Sequence, residues 1–100
     1  KQVHIVFGMA NDKDVQHVLA CLPSSAKCYW TKASVHRAMD VNEIASLAKQ
    51  KGLEGEVFEN VASAYDAAMN NAKENDFVYI GGSSFVVADL LNYLHKEQKR

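Results

Sequence analysis

The chain has 100 residues, 48% hydrophobic and 23% charged, which supplies one folded core but not the length for two. A net charge of -1 and a pI near 6.5 give no long-range field for nucleic acid, and no apolar run approaches membrane-spanning length. Intrinsic disorder is excluded on the same composition.

The opening Lys1-Gln2-Val3-His4 reads as the start of a strand and has neither a signal-peptide pattern nor a Met, so a piece of a longer chain is expected. Val3, Ile5 and Phe7, with Val6 between them, make the first strand. The turn Gly8 to Asp14 follows, and then Val15, Val18, Leu19 and Leu22 at helical spacing, with Asn11 or Asp12 as cap and Pro23 as terminator. Ala26 to Thr31 is the second strand, where Tyr29 and Trp30 suit a pleated surface. A polar excursion from Thr31 to Ala38 comes next.

Asp40, with Glu43 three residues on, has the form of a capping box ahead of the stripe Ile44, Leu47 and Ala48; Gly52 ends that helix. Glu56 to Glu59 reads as a short third strand with a charge at each end, which places it at a sheet edge. Asn60 caps a third helix with Val61, Ala64, Tyr65, Ala68 and Ala72 on one face. Phe77 to Ile80 is a continuous apolar run, the pattern of a strand buried on both faces. After Gly81-Gly82-Ser83-Ser84 the last helix carries Val87, Leu90, Leu91 and Leu94 and frays from Lys96 to Arg100.

Strict strand–helix alternation predicts parallel strands joined by right-handed crossovers. The expected fold is a Rossmann-like α/β sheet of about four strands, order 3-2-1-4, with helices on both faces. The turns after strands one, two and four then open on one rim, where helix N-termini favour a phosphate or carboxylate.

Each motif on that rim has two readings. Asp12-Lys13-Asp14 is a helix start that favours the dipole, or a charged group that positions a ligand. Arg37 is a solvated loop residue, or a two-pronged grip on a carboxylate. Gly81-Gly82-Ser83 is a close approach followed by a cap, or a ligand-contacting turn. No Walker A loop and no GxGxxG occurs, so neither standard nucleotide site is supported. Cys21 and Cys28 lack metal spacing and read as buried or half-buried reduced thiols, which points to the cytoplasm. His4, His17 and His95 form no metal constellation and read as surface or rim residues, and His36 reads as incidental to the loop and not as a catalytic group.

Three runs together carry more than any one: Val6-Phe7-Gly8-Met9 through Asp12-Lys13-Asp14, Thr31-Lys32-Ala33-Ser34 with Arg37-Ala38, and Gly81-Gly82-Ser83. They closely resemble the C-terminal domain of folylpolyglutamate synthases, members of the Mur-ligase superfamily, from about Val3 to Leu91. The resemblance implies an ATP-dependent ligase that joins L-glutamate to a folate through an acyl phosphate, and that in some members also makes dihydrofolate. Arg37 resembles the Arg that engages the incoming amino acid in sister ligases, although His36 stands where many relatives have Pro. Ser83 takes the position of the family's Gly-Ser serine, and Lys13 is available to a phosphate or carboxylate. Asp12, Asp14, Gly81 and Gly82 would position ligand, with no proton-transfer residue and no metal ligand.

The family's ATP-holding P-loop lies in a central domain, and its Asp-Gly-Ala-His-Asn-Pro box on an earlier strand; neither is in this chain. Residues 1–100 are therefore expected to be a single truncated C-terminal domain, inactive alone and binding no MgATP. Its partners in a complete enzyme would be folate, L-glutamate and the central ATPase domain. An open sheet edge is expected to favour a dimer. Without the resemblance, composition does not separate this reading from a non-catalytic anion-binding module.

Overall fold

Strand β1 (Val3–Phe7) is almost wholly out of water: His4 to Phe7 are all buried. Burial on both faces is what a parallel strand in the middle of a sheet requires. The computed structural model describes residues 2–9, 15–34, 38–82 and 84–98. After β1 come α1 (Val15–Ala20), β2 (Lys27–Trp30), α2 (Val41–Gln50), β3 (Glu54–Val57), α3 (Val61–Asn71), β4 (Phe77–Gly81) and α4 (Ser84–Gln98). All strand pairs are parallel. β1 pairs with β2 from His4–Lys27 to Phe7–Trp30, and with β4 from Val3–Phe77 to Phe7–Gly81. β3 pairs with β2, giving the expected order 3-2-1-4.

The alternation along the strands builds two apolar layers. Ile5, Phe7, Cys28 and Trp30 face one side and pack with Leu19 of α1 and with Ile44 and Ala48 of α2. Phe7 meets Trp30 edge to face, with ring centroids 5.8 Å apart, a favoured arrangement for two quadrupoles. Val6 and Tyr29 face the other side, against Ala64 and Ala68 of α3. The alanines let α3 lie close on the sheet. Beside it, Val86 and Leu90 of α4 pack with Val61 and Ala33. Full burial of each large side chain contributes about 1.5–3 kcal/mol.

The starts of α2 and α3 follow the expected caps, while Asn11 and Asp12, expected ahead of α1, lie outside the described residues. The Asp40 carboxylate accepts the Asn42 N–H at 2.9 Å, and the Asn60 side chain accepts the Ser63 N–H at 2.8 Å. Burial of Cys28 pushes its thiol up to about 11, so it stays protonated and inert at neutral pH.

Several expectations are corrected. β3 begins two residues earlier than the apolar pattern indicated, and all four of its residues are exposed. Its position is set by backbone pairing with β2 and by Gly55, where a Cβ would collide with the Trp30 ring. β4 is an edge strand: Val78 and Ile80 turn inward, while Phe77 is 63% and Tyr79 50% exposed. On α4, Val86 and Leu90 are buried, whereas Val87 and Leu91 are exposed. The helix is rotated to that face by its polar flank, where Tyr93 donates to Asp66 at 2.7 Å and Asp89 holds Ser34. It also stays helical past Lys96, to Gln98. Cys21 lies just after α1 and is exposed.

The largest surprise is His4, which is 1% exposed. At the amino-terminal ends of the strands its Nδ1 meets the Tyr29 hydroxyl at 2.8 Å, and its Nε2 meets Asp76 at 3.0 Å. Asn71 donates to the same hydroxyl at 3.3 Å. Asp76 also accepts the backbone N–H groups of Gln2 and Lys73, each at 3.0 Å. These backbone bonds, from Gln2 first and then Lys73, and the His4 contact hold the Asp76 carboxyl well below the usual carboxylate range. One carboxylate therefore ties the start of β1 to the connection between α3 and β4.

A carboxyl depressed in the folded state adds stability that is present above the unfolded pKa of about 3.9 and is lost as pH falls. Asp76→Ala should accordingly melt lower than the parent at pH 7, with the gap closing below about pH 4. Thermal unfolding followed across that range by circular dichroism tests it. A gap that is independent of pH would assign the loss to packing instead.

Candidate functional site

The carboxyl ends of β1, β2 and β4 meet on one rim, stitched together by backbone hydrogen bonds. Gly8 N–H reaches the Gly81 carbonyl at 3.4 Å, and Thr31 N–H reaches the Phe7 carbonyl at 2.9 Å. The loop after β2 returns to the first turn, where Met39 N–H donates to the Met9 carbonyl at 2.8 Å. These bonds bring together the three turns that the sequence singled out. In an open parallel sheet this is the edge where ligands bind.

Gly8 and Gly82 make that closeness physically allowed. A Cβ at Gly8 would sit 2.7 Å from the Thr31 carbonyl oxygen and 2.9 Å from Val86. Gly82 has φ +93°, and a Cβ there would strike the Gly8 carbonyl oxygen and the Phe7 ring. The turn after β4 therefore lies directly over the turn after β1, with only glycine between them. This close approach is the structural reason for Gly82, whether or not a ligand uses it, whereas a Cβ at Gly81 would meet the Tyr79 side chain.

Of the sequence-predicted site residues, Gly81 is buried and Gly82 half-buried on this rim. Asp12, Lys13, Asp14, Arg37 and Ser83 lie outside the described residues. Near the rim, between the α3 N-terminus and α4, is an open cavity of about 300 Å³ lined by Ser34, Asn60, Val61, Asp89, Tyr93 and Lys96 among others. Two features here had no signal in the sequence. Asp89 takes two hydrogen bonds from Ser34, one from its backbone N–H at 2.6 Å and one from its hydroxyl at 2.9 Å. The Thr31 hydroxyl is buried with no hydrogen-bond partner among the described residues, a placement that leaves its polar capacity unused. Asp89 and Ser34 are 55 positions apart, so no local spacing could have joined them. Among the described residues no group of three or more His, Cys, Asp or Glu could hold a metal ion, and no helix is long and apolar enough to cross a membrane.

The family model described as "Mur ligase, glutamate ligase domain" matches residues 1–84. A probable bifunctional folylpolyglutamate synthase/dihydropteroate synthase of Haloferax volcanii is 33% identical over 90 residues, covering 87% of this chain and 10% of that protein. E. coli FolC, solved with DHPP and ADP, superposes with a TM-score of 0.87 at 30% identity, over 98% of this chain and 23% of FolC. A bifunctional folylpolyglutamate synthase/dihydrofolate synthase solved with Mn, AMPPNP and L-glutamate gives 0.83 at 29% identity, over 94% of this chain and 22% of that one. The chain thus spans from a tenth to about a quarter of the length of these relatives.

Gly82→Ala puts a side chain where the backbone conformation and the Gly8 carbonyl both forbid one. It should cost about 1–3 kcal/mol of folding stability, read from urea unfolding midpoints at unchanged slope. A variant as stable as the parent would show that the turn relaxes without holding this geometry.

Proposed function

Because the chain belongs to the glutamate ligase domain family of the Mur ligases, we propose that it serves as the C-terminal domain of an ATP-dependent ligase that adds L-glutamate to a folate. The observation that carries this reading is the match of the family model over residues 1–84, joined to a superposition on FolC that covers 98% of the chain. In such a reaction the γ-phosphoryl group of ATP passes to a substrate carboxylate. The glutamate amine then attacks the acyl carbon and displaces phosphate, leaving an amide, ADP and phosphate. The acyl phosphate supplies the leaving group, so the protein's task is to hold two anionic substrates in line and keep water out.

On this reading the rim is this domain's contribution, and closure on the central domain completes the site. Arg37 grips the glutamate carboxylate, a planar fork matched to a planar anion. Lys13 and Ser83 bind substrate, while Asp12, Asp14, Gly81 and Gly82 shape the rim. MgATP is a co-substrate held mainly by the central domain, a division supported by the lack of a P-loop in this sequence.

In the complete ligase, Arg37→Ala should raise the glutamate KM roughly ten- to a hundredfold, the effect of losing a charge-assisted pair, and leave the ATP KM in place. Steady-state kinetics with the two substrates varied separately measure this. Unchanged glutamate kinetics in a folded variant would take Arg37 out of the site. As an isolated piece the chain is expected to self-associate at high concentration through the open β4 edge, where Phe77 and Tyr79 are exposed. A strict monomer in sedimentation would count against that.

A further inference from the structure

His4, Tyr29, Asn71 and Asp76 form a polar chain at the end of the sheet away from the rim. His4 and Tyr29 are buried, Asp76 is half-buried, and Asn71, the last residue of α3, is exposed. His4 Nδ1 lies 2.8 Å from the Tyr29 hydroxyl and Nε2 lies 3.0 Å from Asp76 Oδ2; Asn71 Nδ2 lies 3.3 Å from the same hydroxyl. Asp76 accepts the Gln2 N–H on Oδ1 and the Lys73 N–H on Oδ2. Ionised, it offers acceptors only, so the hydrogen between it and His4 sits on Nε2. Two donor patterns then satisfy the remaining atoms. With Nδ1 bare, His4 is neutral, Tyr29 O–H donates to it, and Asn71 N–H donates to the Tyr29 oxygen. With a hydrogen on Nδ1 as well, His4 is cationic and donates to the Tyr29 oxygen. The Asn71 amide must then turn over, so that its oxygen accepts from Tyr29 O–H. Otherwise the phenolic oxygen faces two donors, and its own hydrogen has no acceptor among the described residues.

We propose that this chain is a proton switch, in which uptake of one proton at His4 Nδ1 reverses the Tyr29 hydroxyl and turns over the Asn71 amide. The proton comes from water, and the new N–H is the only covalent bond that changes. A cavity of about 290 Å³ lined by Gln2, His4, Lys27, Asn71, Lys73 and Asp76 brings solvent to the buried ring. The charged groups around His4 are Asp76 and Lys73 from the connection between α3 and β4, and Lys27 from β2; Tyr29 is the other titratable neighbour. β4 presents Val78 at the paired position. Asp76, in contact, favours the added charge, and the two lysines oppose it. Both patterns keep one hydrogen bond at each contact, so the tie between β1, β2 and α3 survives the proton. A buried imidazole without such partners would carry an unpaired charge. The longest contact, at 3.3 Å, is the one on an exposed residue, so the amide turns there without disturbing the core. Protonation of a buried strand residue is thereby reported at the surface, where the Asn71 NH2 group is released from Tyr29.

The test is NMR on the isotope-labelled chain, titrated from about pH 8 to about pH 5, across the usual histidine range. At the alkaline end the His4 ring should show a bare Nδ1 and a protonated Nε2, and at the acid end both nitrogens protonated. The Asn71 side-chain amide should shift with the same midpoint as His4. In Tyr29→Phe, which removes only the connecting hydroxyl, His4 should still titrate and the Asn71 response should be lost. In Asn71→Asp the ionised carboxylate can only accept, so the cationic pattern alone is satisfied. His4 titration there should move up by about one pH unit. A His4 that carries its hydrogen on Nδ1 with Nε2 bare overturns the switch, as does one whose state does not change over the range. An Asn71 amide indifferent to His4 titration also overturns it, and so does one that still follows His4 in Tyr29→Phe. Should Tyr29→Phe not fold, Asn71→Asp carries the decision, and an unmoved His4 titration there overturns the proposal.

Discussion

Strand β1 is hydrogen-bonded along both edges and covered on both faces, and the rest of the molecule is arranged around that condition. Because β2 and β4 both pair with it in parallel, their carboxyl ends arrive at the same rim. Because Ile5 and Phe7 face one layer and Val6 the other, each layer of helices is laid on the same strand. A register slip of one residue would exchange these faces and bury the wrong set. The close passage of the Gly81–Gly82 turn over Gly8 then follows from the Phe7–Gly81 register, which delivers one turn directly to the other.

Much of this architecture is legible from local cues. The caps Asp40 and Asn60 and the alternation in Val3 to Phe7 act within a few residues, and each has a distinct physical signature in sequence. Strand order followed from connectivity and from the weak apolar character of the third strand. What escaped was set by partners far along the chain. β3 is held by backbone pairing and by the Trp30 ring lying over Gly55, neither of which leaves a periodic mark. The rotation of α4 depends on Asp89 and Tyr93 finding Ser34 and Asp66, and helical spacing fits Val87 and Leu91 as well as Val86 and Leu90. Phe77 to Ile80 reads as doubly buried because an apolar run reports residue type and not what covers it.

The site was legible as motifs and not as geometry. Gly82 and its neighbours could be picked out because few residues tolerate a positive φ and a backbone contact together. Asp89 could not, since an Asp on a helix flank is ordinary until its partner is known. His4 was misjudged for the same reason: a histidine near a strand's start carries no sign that Tyr29 and Asp76 will enclose it.

The enclosed His4 network and the rim at the carboxyl ends of the strands occupy opposite ends of β1, about 13 Å apart at strand rise. At that distance, without shared partners, substitutions combine nearly additively. On the proposed function, the polar network that ties the sheet together and the contacts to substrate are placed at separate ends of one strand. A rim that drifts toward a new substrate at some cost in folding can be compensated at the amino-terminal end, by changes that never touch the bound ligand. Such a division gives the domain room to diverge in specificity while its sheet stays the same.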